Sequence, residues 1–323
     1  MGIAGELDLK TMNLSFPLNE EVLKEISVPQ VLAMGQFDGL HLGHVSVIES
    51  AVKLSREQGL QSAVLTFHPH PKEVMRKGDY QGYLTPLREK EEILEKMNVD
   101  VLYVLEFNES FSNLLPEQFV DQFLLPSEVK VAVVGFDFRF GHKGAGDEKK
   151  LRELGLPHMN VVTIPPLMLD DEKVSSTSIR SALYQGNVKD AERMLGRPYS
   201  FRGIVIDGEK RGRTIGFPTA NVEPSENYVV PIKGVYAVWV THLDKKYPGV
   251  MNIGVKPTFH KDRTKPSFEV HLLDYNGDLY GEELTVELVE FLRPEQRFPS
   301  IDELIAQIRK DSETAKQILA NLS

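Results

Sequence analysis

Between positions 35 and 44 the chain reads Gly-Gln-Phe-Asp-Gly-Leu-His-Leu-Gly-His. Two imidazoles, His41 and His44, stand three residues apart, so within one helical turn they share a face. An apolar run at 31–34 precedes them, and Val45, Val47, Ile48, Ala51, Val52 and Leu54 follow at helical spacing. The stretch is therefore a strand, a glycine-rich turn and a helix start. Unpaired amides and the positive end of the helix dipole both face a ligand at such a place, which suits a phosphate. Gly35, Phe37, Asp38 and Gly39 form the turn. Gly43 removes a side chain between the histidines, so an anion can approach the backbone closely.

The elements that position this turn alternate. Apolar runs at 62–67, 101–105, 129–134 and 160–164 predict further buried strands. Helical patterns at 44–58, 85–97, 116–124 and 148–154 separate them, the second with Thr85 as cap and Pro86 as first residue. Strands alternating with helices predict a parallel sheet covered on both faces, with ligands beyond the carboxyl ends of its strands. The polar and glycine clusters at 35–44, 68–71 and 135–141 all follow strands, so they are expected at one edge. A helix opened by Ser175 and Ser176 runs to Gln185 and is closed by Gly186, where the domain boundary is expected: 1–186 and 187–323.

From Phe201 the rhythm changes to short β-branched runs at 203–206, 235–240, 249–253, 268–272 and 284–291, with a turn signal at Asn276-Gly277-Asp278. That pattern predicts an antiparallel barrel or sandwich, followed by a terminal helix at about 300–322. Gly208 and Gly212 flank a basic loop of Lys210, Arg211 and Arg213 that could fold over phosphates. Pro218-Thr219-Ala220-Asn221 presents a hydroxyl and an amide on one side of a stiff turn. Such oxygens suit magnesium, which shares phosphate oxygens and keeps several waters.

Composition narrows the classes. The chain has 323 residues, a net charge of −10, 41% hydrophobic residues and no cysteine. Two soluble domains are expected. The acidic balance argues against a non-specific nucleic-acid binder, and without cysteine there are no thiolate metal sites or thiol nucleophiles. No apolar run is long enough to span a bilayer, and residues 1–12 lack a signal-peptide core, so a cytoplasmic protein without membrane partners is expected. The oligomeric state stays open. A Walker loop is absent, because Gly146 is followed by Asp147, and no G-x-G-x-x-G fingerprint occurs. A metal site built from His41, His44, His68 and His70 is a rival reading, although their spacing follows no familiar zinc pattern.

The ten-residue stretch resembles the nucleotidyltransferase signature of the bacterial bifunctional riboflavin kinase/FMN adenylyltransferase (FAD synthetase) family. Thr66–Pro71, Gly135–Gly141 and Ser175–Arg180 resemble three further segments of that family in order, with His68 where an acidic residue is common. In the second half Pro218–Asn221, Met251–Phe259, Phe268–Asp274 and Arg293–Phe298 resemble its riboflavin kinase module. The resemblance implies a Rossmann-like α/β nucleotidyltransferase domain followed by an antiparallel β-barrel with a terminal α-helix. It implies riboflavin, FMN and ATP as substrates, FMN and FAD as product ligands, and Mg2+ as cofactor. His41, His44 and Arg180 would donate to the transferring phosphates, Ser176 and Thr177 would add helix-start contacts, and Asp137 and His70 would flank the nucleotide. In the barrel, Gly208, Arg213 and Pro218 would line the nucleotide, and Thr219 and Asn221 would hold magnesium. Glu269 would act as base toward the riboflavin hydroxyl. Two alternatives remain: a module that only binds flavin, and a nucleotidyltransferase for another phosphorylated substrate, which leaves the barrel unexplained.

Overall fold

The computed structural model describes residues 8–75, 80–208, 212, 215–257 and 264–322. It divides into two compact units, Met1–Tyr80 with Thr85–Val174, and Gln81–Leu84 with Ser175–Ser323. The boundary expected at Gly186 thus lies inside the second unit. The cause is local: helix Ser176–Gln185 packs on helix Val188–Leu195, and Ile232 N–H donates to the Leu183 carbonyl at 3.0 Å. Residues 175–185 therefore fold with the barrel.

The first unit is built on a sheet of β1 (Lys10–Leu14), β2 (Gln30–Met34), β3 (Gln61–His68), β4 (Val101–Glu106), β5 (Val129–Gly135) and β6 (Asn160–Ile164). All pairings are parallel and the order is β1-β4-β3-β2-β5-β6. Every residue of β2 is buried. Leu32 and Met34 pack into one core layer, and Val31 and Ala33 into the other. Burying each such side chain contributes roughly 1.5–3 kcal/mol, which explains the continuous apolar run. β1 is an edge strand with one buried residue, Leu14, so its sequence carries little strand signal. The chain steps from β2 through β3 to β4, then returns to β5 on the other side of β2. The switch point of the sheet therefore lies between β2 and β5, where a crevice opens at the carboxyl ends. A short ribbon, β7 (Met168–Leu169) with β8 (Glu172–Lys173), ends the unit.

The second unit is a closed barrel of β9 (Ser200–Ile206), β10 (Ala220–Pro224), β11 (Gly234–His242), β12 (Lys245–Pro257), β13 (Thr264–Leu272) and β14 (Glu283–Arg293). The order is β10-β13-β12-β11-β14-β9, antiparallel throughout. The alternation of β13 is clear: Phe268, Val270 and Leu272 are buried, whereas Glu269 and His271 are partly exposed. Val235, Ala237, Val250 and Val289 pack with Ala315 and Leu319 of the terminal helix Ile301–Ala320. Ser300 caps that helix at Glu303 N–H. Arg293 locks it to the barrel through Asp311, at 3.1 and 3.0 Å from Nε and 2.8 Å from Nη2.

Candidate active sites

The turn after β2 is tightly constrained. Phe37, Gly39 and Leu40 have φ of 50°, 93° and 40°. Two bulky residues in the left-handed region cost about 1–3 kcal/mol each and persist only where packing over-determines them. Here both are buried, at 2% and 0% exposure. The helix that follows starts at Leu42, not His44, and His41 is its N-cap. Its Nδ1 accepts the N–H of His44 at 3.3 Å, so an imidazole performs the task usually given to a hydroxyl or carboxylate. The two rings stack with centroids 3.6 Å apart, and Phe37 meets His44 edge-on at 5.3 Å. A Cβ on Gly43 would lie 3.2 Å from the His41 ring.

This burial decides protonation. Desolvation pushes His41 down to about 4, against the opposing pull of Asp137 and Asp38. His44 is held well below its ordinary value by burial, then by His41 and Lys90. Both are neutral at pH 7. Because Nδ1 of His41 accepts, its proton sits on Nε2, which is left as a donor. Nδ1 of His44 is buried and has no hydrogen-bond partner among the described residues.

Other predicted residues have definite places. Gly35 joins β2 to the turn and its N–H donates to the Leu65 carbonyl at 3.1 Å. Asp38 is buried and accepts the N–H of Thr85 at 3.3 Å, so Thr85 is tied to the turn and Pro86 takes the cap position of helix Leu87–Lys96. Asp137, beyond β5, pairs with Lys173 at 2.7 Å. That ammonium also lies 4.3 Å from the Phe136 ring centre. His70 caps the short helix Pro71–Val74 by accepting from Lys72 N–H at 3.1 Å, and stacks on Tyr80. His68 is exposed at the end of β3. The clusters at 35–44, 68–71 and 135–141 follow β2, β3 and β5, which are neighbours in the sheet. No group of three or more His, Cys, Asp or Glu suited to hold a metal occurs among the described residues.

Ser176, Thr177 and Arg180 belong to the second unit. Ser175, rather than Ser176 or Thr177, caps their helix by accepting from Ser178 N–H at 3.1 Å. Arg180 donates to the Gly82 carbonyl at 2.8 Å.

In the barrel, the stiff turn expected at 218–221 is not a turn: Pro218 and Thr219 are irregular and Ala220 and Asn221 begin β10. Asn221 stands opposite Glu269, which in turn stands opposite Asn252. Directly opposed residues of antiparallel strands share a face, so register alone lines up amide, carboxylate and amide. Asn252 reaches Glu295 at 3.3 Å. A Cβ on Gly208 would fall 1.9 Å from Nδ2 of Asn221, so only glycine lets that amide lie there. His271 donates from Nδ1 to the Pro218 carbonyl at 2.7 Å and steadies the exposed Pro218–Thr219 segment. Arg213, with Lys210 and Arg211, lies outside the described residues.

Sequence reasoning missed Lys90 and Lys173, and gave no individual role to Thr66, Asn252 and His271, which lie in segments it singled out. Lys90 carried a signal: with Leu87 and Leu94 it falls at helical spacing on an apolar stripe.

An α/β sheet with neutral imidazoles at its switch point, joined to a closed barrel bearing an amide–carboxylate row, defines a two-module phosphate-handling enzyme. The comparisons agree. Residues 23–178 match the family model for FAD synthetase, and residues 195–319 the one for riboflavin kinase. A bifunctional riboflavin kinase/FMN adenylyltransferase of Bacillus subtilis is 43% identical over 97% of this chain and 99% of that protein. One from Listeria monocytogenes is 41% identical over 97% and 99%. A crystal structure from Streptococcus pneumoniae, described as a macrolide-efflux protein, superposes with a TM-score of 0.86 at 32% identity, covering 95% of this chain and 98% of that one. The chain belongs to the bifunctional riboflavin kinase/FMN adenylyltransferase family. Among the described residues no helix is long and apolar enough to cross a membrane.

Proposed function

We propose that the turn 35–44 carries the adenylylation of FMN and that the Asn221–Glu269 row carries the phosphorylation of riboflavin. The two reactions are those of the family: riboflavin and ATP give FMN and ADP; FMN and ATP give FAD and pyrophosphate.

In adenylylation an oxygen of the FMN phosphate bonds to the α-phosphorus of ATP while the bond to the pyrophosphate oxygen breaks. The nucleophile is already anionic, so no base is needed. Donors aimed at the developing charge supply the catalysis. Neutral His41, through Nε2–H, and His44 take that role, with the amides at the start of helix Leu42–Gln58. The observation that carries this reading is Nδ1 of His44, a buried polar atom without a partner among the described residues at a phosphate turn. Asp137 and His70 flank the nucleotide.

In phosphorylation the riboflavin hydroxyl is a weak nucleophile, so Glu269 takes its proton as the γ-phosphoryl arrives. Its place in the row, away from the buried Phe268 and Val270, supports that role. The donor set next to it, a Thr219 hydroxyl and an Asn221 amide oxygen, fits Mg2+ shared with nucleotide phosphates. Bound there, the ion would neutralise phosphate charge. Gly208 and Pro218 border the same nucleotide. The acidic, cysteine-free composition supports a cytoplasmic enzyme whose partners are small molecules.

The test is chromatography of flavins after incubation with riboflavin, ATP and magnesium. FMN and FAD should both accumulate. FMN alone would remove the turn from catalysis, and unchanged riboflavin would sink the reading.

A further inference from the structure

We propose that Lys90 is a positioning residue for adenylyl transfer, holding the strained turn 35–44 from beneath and placing a fixed positive charge behind it. The inference rests on the role given above to that turn.

Lys90 is 4% exposed, on the buried face of helix Leu87–Lys96. Its Nζ donates to the Gln36 carbonyl and to Oγ1 of Thr66, both at 2.9 Å. Thr66 is fully buried and its hydroxyl donates to the same Gln36 carbonyl at 2.9 Å. Gln36 in turn donates from Nε2 to the Phe67 carbonyl at 3.1 Å. Two donors thus converge on the peptide that enters Phe37, the first left-handed residue of the turn.

An ordinary core position would hold leucine here. A lysine whose charged end is buried is costly unless its bonds serve something. What these bonds serve is the backbone that aims His41 and His44. The charge acts as well: Lys90 helps to keep His44 neutral. An anion bound at the turn would feel a positive group that needs no reorganisation. Burial lowers Lys90 to about 8, with Asp38 pulling it up. Asp38 and His44 are the titratable groups coupled to it.

The experiment uses the full chain, with riboflavin phosphorylation as internal control and His44→Ala as check on the turn itself. Lys90→Met should keep the kinase rate and lower kcat for FMN adenylylation by ~100-fold, with KM for ATP and FMN nearly unchanged, because misplacement acts on the transition state. Wild-type adenylylation should decline as pH passes about 8, and Lys90→Met should lack that decline. Thr66→Val, which leaves the charge in place, should lose ~10-fold in kcat and serves if Lys90→Met does not fold. Unchanged adenylylation in a folded Lys90→Met or Thr66→Val, or equal loss of both activities, would overturn the proposal. If His44→Ala also retains adenylylation, the reading of the turn fails instead.

Discussion

The two sites are made by opposite means. In the first unit the proposed chemistry is assigned to a turn at the end of a buried strand, with two bulky residues forced to positive φ and two imidazoles stripped of charge by burial. In the barrel the proposed chemistry is assigned to a sheet face, where Asn221, Glu269 and Asn252 are aligned by strand register. A turn of this kind is specified by everything packed around it. A row of opposed residues is specified by pairing and little else. The first should therefore be sensitive to acid and to its supporting shell, and the second to changes of local shape.

The largest effect is expected at the turn. His44→Ala should slow FMN adenylylation by ~10³-fold, the upper range for loss of one preorganised donor. Riboflavin phosphorylation, assayed in the same sample, should be unchanged; a parallel fall in both would break the comparison.

Acid should find the same place. The folded value for His41 is about 4 against 6.5 unperturbed. Between those values the unfolded chain binds the proton and the folded chain does not, so stability falls with falling pH. The loss begins near pH 6.5 and is complete below about 4, amounting to ~3 kcal/mol for this group. Denaturant unfolding of the wild type and His41→Asn at pH 7.5 and 4.5 checks it. The variant should show the smaller pH difference, and equal differences would remove His41 as the cause.

At the barrel, Glu269→Gln keeps shape and removes the proposed base. Riboflavin phosphorylation should fall by ~10²-fold, with FMN adenylylation retained. A kinase rate left intact would make Glu269 an ordinary face residue.

The parallel sheet was legible because its strands are buried on both faces and read as continuous apolar runs; β1 was not, since its edge position leaves only Leu14 buried. The barrel was legible as a class, but its details were not. Asn276-Gly277-Asp278 lies between β13 and β14, which are not neighbours, so this signal marks a crossing loop. The tight β11–β12 turn is made by Leu243 and Asp244, both at positive φ, without the glycine that normally announces it. β10 hid inside what read as a stiff turn, because Val222 alone of its residues is buried. The histidines could be found from spacing, whereas their neutrality and the His41 cap could not, since both follow from tertiary burial. Glu269 was legible as outward-facing, but its partners Asn221 and Asn252 needed the strand order.

The smallest predicted effect tests how register transmits shape. Gly208→Ala puts a methyl 1.9 Å from the Asn221 amide nitrogen. The Asn221 backbone cannot yield, because it pairs with Ile206 on one side and Glu269 on the other. The amide must therefore rotate out of the row, a cheap shift for the far end of a flexible side chain, and what is lost is the amide's place in the row. Losing the amide from the row should lower riboflavin phosphorylation by ~10-fold, which corresponds to ~1.4 kcal/mol. Adding Asn221→Ala to Gly208→Ala should cost nothing further, since the amide is already displaced. Independent, additive losses would mean that the glycine serves something other than Asn221, and that the barrel site is not governed by register alone.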